Sequence, residues 1–122
     1  MSAKGKTPRQ TFGQQGEEMA AAYLVRQGFV IEARNKRFSR AEIDIIAKYQ
    51  ERLLIFVEVK IRRNAAFGYP ETFLSTVQQS NYHEAATAYI EEVGWEGPIR
   101  FDIIALHPQG GKLSLEHFED AF

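Results

Sequence analysis

The chain has 122 residues, of which 44% are hydrophobic and 25% charged, with a formal net charge of −1. That composition is typical of one globular domain, large enough to bury a core without cross-links. The sequence contains no cysteine, which excludes disulfides, thiolate zinc sites, iron–sulfur clusters and cysteine nucleophiles. Any metal must therefore be held by oxygen or imidazole ligands.

The sequence offers no segment for a membrane. No apolar run approaches the ~20 residues needed to span a bilayer. Residues 1–11 are polar and basic, and no apolar segment follows that would serve as a signal peptide. We therefore expect a cytoplasmic protein without a membrane partner, in which residues 1–11 form a flexible basic arm and residues 12–122 form a single domain.

The charge is unevenly distributed along the chain. Residues 1–63 contain thirteen basic and seven acidic residues, a net charge of +6, whereas residues 64–122 carry a net charge of −7. The basic half permits a local anion-binding face. The same charges are equally consistent with an ordinary solvated surface.

The first elements are predicted from the spacing of small and apolar residues. A helical period covers residues 12–27, and Gly28 ends it as a C-terminal cap would. A short strand over residues 29–31 follows, and residues 34–40 are predicted to form a basic connection.

Two apolar segments then predict an antiparallel hairpin. Residues 41–47 alternate as a strand, residues 48–52 make a polar turn, and residues 53–60 form a second strand rich in branched and aromatic residues. On an ideal first strand one face would carry Glu42, Asp44 and Ile46, and the other Ile43, Ile45 and Ala47.

The last part of the chain predicts a helix and two strands. The helix covers residues 72–92, and the strands cover residues 99–106 and 113–118, with a turn at residues 108–111. The order helix, three strands, helix, two strands predicts an α/β (α+β) fold with a mixed β-sheet flanked by helices.

The hairpin also carries the candidate chemistry. Glu58 and Lys60 are two residues apart in an apolar strand and so share a face, and Asp44 lies among isoleucines in the partner strand. If the strands pair in register, the carboxylates of Asp44 and Glu58 lie side by side and repel each other unless a cation lies between them. We therefore predict Mg²⁺ or Mn²⁺ as cofactor. The alternative is a structural Glu58–Lys60 ion pair with Asp44 at a strand end.

A metal at this position would suit phosphoryl chemistry. It would polarise a phosphoryl oxygen and lower the pKa of a bound water. Lys60 would orient or deprotonate that water and stabilise the developing negative charge.

Seven short motifs extend over nearly the whole chain. They are Gly16-Glu17-x-x-Ala20-x-x-Tyr23-Leu24, Gly28-Phe29, Asn35-x-Arg37, Glu42-Ile43-Asp44-Ile45-Ile46-Ala47, Phe56-Val57-Glu58-Val59-Lys60-x-Arg62, Gly68-x-Pro70 and Arg100-Phe101-Asp102-Ile103-Ile104. Together they resemble the bacterial YraN family. That family is similar in turn to archaeal Holliday-junction resolvases and other members of the PD-(D/E)XK nuclease superfamily.

The resemblance implies a restriction-endonuclease-like core. It assigns Asp44 and Glu58 as metal carboxylates and Lys60 as the catalytic lysine. It also implies that Glu17, on the first helix, is a further catalytic residue at the same site. A glutamate in the first turn of a helix has a plainer explanation in the helix dipole, and both readings of Glu17 stay open.

The chain departs from the family pattern at two positions. Ala41 stands where the family usually has glycine, which matters only if the position needs a positive φ. Gln78 stands where it usually has a lysine suited to a phosphate contact.

The candidate nucleic-acid contacts are basic residues that flank the site in sequence. Arginine is well shaped for phosphate, although each residue alone would more often be a solvated surface residue. They are Arg34, Lys36, Arg37, Arg40, Arg62 and Arg63. The three histidines show no metal-ligand spacing.

The predicted function is a divalent-metal-dependent nuclease that hydrolyses nucleic-acid phosphodiesters, with DNA favoured and branched DNA suggested by analogy. A symmetric homodimer is expected if it resolves four-way junctions, which need two cuts. One alternative is a nucleic-acid-binding protein of the nuclease fold with little or no catalysis. Another is a protein-interaction adaptor using the acidic residues Glu91, Glu92, Glu96, Glu116, Glu119 and Asp120.

Overall fold

The computed structural model describes the backbone of residues 8–62 and 73–122, and the side chains of residues 13–62 and 73–122. Several sequence predictions fall outside these ranges. They are the first part of the basic arm, the phosphate contact assigned to Arg63, the Gly68-x-Pro70 motif and the start of the second helix at residue 72.

The described residues form one mixed sheet with two helices. In sheet order β1-β2-β3-β4-β5, strands β3 and β4 are parallel and the other neighbours antiparallel. This confirms the predicted α+β architecture and element order. The elements are α1 (Pro8–Arg26), β1 (Val30–Phe38), β2 (Ala41–Tyr49), β3 (Leu53–Ile61), α2 (Thr76–Val93), β4 (Ile99–Gln109) and β5 (Lys112–Phe118).

The two helices cover opposite faces of the sheet. Along β3, Ile55 and Val57 pack in the cluster that includes Leu24 of α1. Their neighbours Leu54 and Phe56 pack in the cluster that includes α2. Because neighbouring strand residues point to opposite faces, both sides of the central strands are buried, as their nearly continuous apolar sequence requires.

The helix ends follow the sequence signals. Gly28 has φ 99° and follows the end of α1, as predicted for a C-terminal cap. Helix α1 nevertheless starts at Pro8, four residues before the predicted start. Ser75 caps α2 in a reciprocal capping box with Gln78, and Gly94 closes its other end with φ 73°.

Strand β1 differs from the prediction. Residues 34–40 were expected to form a connection, yet β1 runs from Val30 to Phe38 and pairs along most of β2. Its many charged residues argue against a buried strand, but β1 is an edge strand where such side chains reach solvent. Pairing with the strongly apolar β2 therefore overrides the weak strand propensity of the segment.

The hairpin between β2 and β3 is tighter than predicted. Lys48 and Tyr49 belong to β2, and a hydrogen bond from the Arg52 amide to the Tyr49 carbonyl closes the turn at 2.8 Å. Gln50 and Glu51 have φ values of 52° and 58°, as the primed turns of hairpins require. In the part of the chain described, neither helix is long and apolar enough to cross a membrane.

Candidate active site

The sheet opens into a fork between β2 and β3. The paired register of these strands runs from Tyr49 and Leu53 to Ile45 and Val57. Past that rung β2 stays paired with β1, and β3 stays paired with β4. In the fork, the Oδ2 atom of Asp44 accepts a hydrogen bond from the Val59 amide at 2.8 Å. A side-chain carboxylate thus occupies a place that a backbone carbonyl takes in a continuous ladder.

The predicted alternation along β2 is wrong at this point. Ile43 packs on the α2 side of the sheet and Ile45 on the α1 side, although an ideal strand would put both on one face. The register places Asn35 of β1 opposite Asp44, and Asn35 is left-handed, with φ 53°. Asparagine tolerates this conformation better than most residues. At the left-handed Asn35 and the opposite residue Asp44, the side chains of β2 change the side of the sheet to which they point. Asp44 itself lies at the fork.

Asp44 and Glu58 lie close enough for the charge of one to act on the other. Burial, together with the charge of Glu58, raises the pKa of Asp44 to about 8, although the hydrogen bond from Val59 opposes the shift. Burial likewise raises the pKa of Glu58, whose side chain is only 16% exposed. Two carboxylates in one desolvated site cannot both ionise cheaply unless a cation joins them.

Lys60 lies beside the second carboxylate. Its Nζ is 3.4 Å from Oε2 of Glu58, and its side chain is 28% exposed. The ammonium opposes the effect of burial on the Glu58 pKa. The structure therefore brings Asp44, Glu58 and Lys60 together on neighbouring strands.

Tyr82 of α2 completes the fork, and the sequence interpretation gave it no role. It is 4% exposed. Its hydroxyl donates to the Val57 carbonyl at 2.8 Å and accepts a longer hydrogen bond, 3.4 Å, from the Asp44 amide. Burial and the nearby charges of Glu58 and Asp44 raise the Tyr82 pKa well above its ordinary value, so the hydroxyl keeps its proton.

A cleft of about 290 Å³ gives solvent access to the two carboxylates. Its walls come from β2, β3 and the first turns of α2. The side chains that line it include Arg40, Glu42, Asp44, Glu58, Gln78 and Tyr82.

Glu17 is near this pair but on the other side of the sheet. It lies well inside α1, which starts at Pro8, so the interpretation as a first-turn residue stabilised by the helix dipole is wrong. Its carboxylate is 3.7 Å from Arg34, and it lines a separate cleft of about 1050 Å³ on the α1 side. Its charge nevertheless contributes to the raised pKa of Asp44.

Two of the predicted phosphate contacts are engaged with acidic residues. Arg34 pairs with Glu17 and Glu18 of α1. Lys36 pairs with Glu92 at the far end of α2, at 3.6 Å. Because the irregularity at Asn35 intervenes, these two basic residues face opposite sides of the sheet.

Three others are placed nearer the cleft or at the surface. Arg40 lines the cleft and is exposed, and Arg37 is exposed on the edge strand. The Arg62 guanidinium stacks over the Phe73 ring, 4.4 Å from its centroid. Of the predicted phosphate contacts that the structure describes, Arg40 is thus the one that lines the cleft, where it is available to an anionic ligand.

The two departures from the family pattern have structural explanations. Ala41 is an ordinary strand residue of β2, paired with Phe38, and is not among the positions with positive φ. Gln78 accepts from the Ser75 amide at 2.8 Å and thereby caps α2 while lining the cleft. Neither departure disturbs the Asp44–Glu58 pair.

A second polar cluster, centred on Asp102, was also missed as a functional or structural unit. Asp102 is fully buried and accepts two 2.8 Å hydrogen bonds from Arg100. His117 Nε2 lies 2.8 Å from the same carboxylate, and its Nδ1 lies 2.9 Å from the Tyr23 hydroxyl. An aspartate inside an apolar strand was the available sequence signal, because such a charge needs partners.

The donor set at the fork fits a hard divalent cation. Within residues 13–62 and 73–122, three or more His, Asp or Glu side chains do not converge as a complete metal cage. Mg²⁺ is commonly bound through one or two carboxylates, with waters and substrate phosphates as its other ligands. Asp44 and Glu58 supply two such carboxylates; burial raises the pKa of both, and the charge of Glu58 adds to the rise at Asp44, so a cation would favour their ionised forms.

These features define an α+β protein with two paired carboxylates in a fork of its mixed sheet. The chain belongs to the uncharacterised protein family UPF0102, whose model matches residues 16–106. This is the YraN family, so the resemblance inferred from the motifs is confirmed.

Relatives in this family cover nearly the whole chain. The UPF0102 protein of Syntrophotalea carbinolica is 42% identical over 115 residues, covering 93% of each chain. That of Phocaeicola vulgatus is 39% identical over 111 residues, covering 91% of each. That of Geotalea daltonii is 39% identical and covers 100% of this chain and 97% of its own.

Among solved structures, SfsA of Pyrococcus furiosus in complex with Ca²⁺ is 15% identical, with a TM-score of 0.36. The match covers 88% of this chain and 62% of that one. This likeness is too slight to bear on function.

Proposed function

We propose that the protein is a divalent-metal-dependent nuclease, a hydrolase of nucleic-acid phosphodiesters with a PD-(D/E)XK-type site. The observation that carries the proposal is the buried pairing of Asp44 and Glu58 in a solvent-accessible fork, with Lys60 in contact with Glu58. DNA is favoured over RNA by the motif resemblance to resolvases.

Asp44 and Glu58 would hold Mg²⁺ or Mn²⁺. When bound, such an ion supplies a Lewis acid and a water of lowered pKa. The hydrogen bond from the Val59 amide orients the Asp44 carboxylate for this role. The two carboxylates must give up their shared proton for this to occur, so metal uptake will release protons.

Lys60 has the position of a group that assists the attacking water. Its ammonium, held beside Glu58, places positive charge at the edge of the site. There it would orient the nucleophile and stabilise the charge that develops on the phosphoryl oxygens. Arg40 lines the same cleft and would contact a neighbouring phosphate.

Two alternatives, a nucleic-acid-binding protein without catalysis and a protein-interaction adaptor, predict different results from a nuclease. A protein of the same fold that only binds nucleic acid would keep the basic phosphate contacts but give no cleavage. An adaptor would use the acidic residues, yet Glu92 pairs with Lys36 and Glu119 with Arg100, so part of that surface is neutralised.

The proposal is tested with a panel of labelled linear, flapped and four-way-junction substrates, each incubated with Mg²⁺, Mn²⁺ or chelator. We expect metal-dependent cleavage of at least one substrate. The Glu51→Gln variant, altered at the exposed hairpin turn, is the matched control and should cleave like the wild type. Binding without cleavage in any metal would favour the binding protein, and absence of binding would favour the adaptor.

A further inference from the structure

We infer that Tyr82 is a positioning residue for the metal carboxylates, because its hydroxyl bridges β3 and β2 where the sheet forks. This inference rests on the proposed metal site and extends it to a residue of α2. Tyr82 itself is not proposed as a metal ligand.

The Tyr82 bridge lies at the point where β2 and β3 separate. The hydroxyl donates to the carbonyl of Val57, which belongs to the last paired rung of β2 and β3. Its oxygen also accepts from the amide of Asp44, the first residue of the fork. The Tyr82 hydroxyl therefore bridges β2 and β3 at the point where the two strands stop pairing.

Asp44 lies outside the β2–β3 ladder, so its orientation depends on other contacts. The regular alternation of side chains along β2 breaks at Asp44, because Asn35, the residue opposite it, has a left-handed backbone conformation. The Val59 amide holds one carboxylate oxygen, and the Tyr82 hydroxyl holds the backbone amide of the same residue. The side chain and backbone of Asp44 are thus anchored separately, which fixes the direction in which the carboxylate points.

The Tyr82 side chain is buried together with its hydroxyl. Tyr82 is 4% exposed and packs in the α2-side cluster, where its ring contacts Phe122. A buried hydroxyl needs partners, and those of Tyr82 lie at the carboxylate site rather than elsewhere in the core. Groups that orient metal ligands from behind typically affect metal affinity or activity by about 10- to 100-fold.

The test compares Tyr82→Phe with Tyr89→Phe. Tyr89 is two turns further along α2, is 5% exposed and packs in the same cluster, so its substitution makes the same chemical change away from the fork. Mn²⁺ affinity is measured by calorimetry on the folded full-length proteins, well below the melting temperature of each. We expect Tyr82→Phe to weaken Mn²⁺ binding by about tenfold or more, and Tyr89→Phe to leave it unchanged.

A metal-free measurement accompanies it. In the wild type the Asp44 amide should be protected from hydrogen exchange, and in Tyr82→Phe it should exchange roughly five-fold faster, the effect of losing one modest hydrogen bond. Amides of the β2–β3 ladder, such as that of Ile46, should keep their wild-type rates. A purely structural role would instead alter the whole ladder together.

The outcomes separate the two proposals. If the wild type takes up no Mn²⁺, the proposed function fails, and the Asp44 exchange rate alone then decides whether the bridge exists. If the wild type binds Mn²⁺ and Tyr82→Phe binds it equally well, the positioning role is overturned. An unprotected Asp44 amide in the wild type also overturns it, whatever the stability of the variant.

Discussion

The Asp44 carboxylate accepts a hydrogen bond from the backbone amide of Val59 at 2.8 Å, across the gap between two strands that no longer pair. This bond alone would lower the Asp44 pKa. Burial and the charge of Glu58 outweigh it and raise that pKa to about 8. Without a cation, the site near neutral pH therefore holds a proton in place of a second negative charge.

The raised pKa predicts how the stability of the metal-free protein depends on pH. An acid whose folded pKa lies above its unfolded value stabilises the fold below the unfolded pKa, and that stabilisation is lost as the pH rises through the folded pKa. For Asp44 the window runs from the ordinary value of 3.8 to about 8. The contribution of Asp44 to the unfolding free energy of the metal-free protein should therefore fall as the pH rises through this window.

Asp44→Asn removes the titrating group and tests that dependence. Between about pH 5 and about pH 9, the unfolding free energy of the variant should rise relative to the wild type by more than about 1.4 kcal/mol, the equivalent of one pKa unit. The measurement is urea denaturation in chelator. A difference between the two proteins that is constant with pH would show that Asp44 titrates normally.

Lys60→Ala should separate metal binding from cleavage. Metal uptake should survive, because both carboxylates stay, while the cleavage rate should fall by roughly a hundred-fold. Since Lys60 opposes the rise in the Glu58 pKa, the variant should also need a higher pH for metal uptake. Calorimetry and single-turnover cleavage are compared with Lys112→Ala, an exposed lysine of β5. Wild-type cleavage by Lys60→Ala would remove its assigned role.

Charge reversal at the proposed phosphate contacts should weaken nucleic-acid binding. Arg37→Glu and Arg62→Glu should each lower affinity for all sequences about equally, since phosphate contacts carry no direct base information. Affinity should also fall steeply with salt. Arg52→Glu, exposed at the hairpin turn, is the control and should have the smaller effect. Equal affinities for the wild type, Arg37→Glu and Arg62→Glu in a fluorescence titration would exclude both residues as phosphate contacts.

The Asp102 cluster should be a determinant of stability rather than of activity. Burial by itself would raise the Asp102 pKa, but hydrogen bonds from His117 and Arg100 outweigh burial and lower it. Its stabilising contribution is thus present above the unfolded pKa of 3.8 and is lost as the pH falls. Asp102→Asn should lower the unfolding free energy by about 1.5–3 kcal/mol at neutral pH, because it weakens the charge-assisted hydrogen bonds that the buried carboxylate accepts from Arg100 and His117.

Urea denaturation checks this prediction, with Glu119→Gln as the control. Glu119 is an exposed partner of Arg100 at 3.6 Å, and its loss should change the unfolding free energy by about 1 kcal/mol or less. If Asp102→Asn is no more costly than Glu119→Gln, the buried network does not stabilise the fold.

The sequence predicts the architecture and the pairing of Asp44 with Glu58 because both depend on short-range patterns. The alternation of β3 puts Glu58 and Lys60 on one face, and the structure brings them into contact. The antiparallel hairpin brings Asp44 to the neighbouring strand. Short-range patterns do not predict the direction of the Asp44 side chain, because that direction depends on the left-handed Asn35 of the neighbouring strand β1.

Tyr82 and Asp102 were missed for a related reason. The helical spacing of Tyr82, Ala85, Ala86 and Tyr89 predicts a buried stripe. It does not tell which buried hydroxyl meets the end of a strand pair. Similarly, the partners of Asp102 are brought together by β5 returning alongside β4. The partners of Tyr82 and of Asp102 are both distant in the sequence, and a single sequence carries little signal for such long-range contacts.

Cleavage by the wild type and by Asp44→Asn, on the best substrate of the panel and in Mn²⁺, tests most directly whether the paired carboxylates form a nuclease site. The variant keeps the shape of the side chain but removes a charge that the cation needs. We predict that chelator abolishes wild-type cleavage and that Asp44→Asn is slower by roughly a hundred-fold or more while still binding the substrate. Cleavage that resists chelator, or that Asp44→Asn retains at the wild-type rate, would contradict the account.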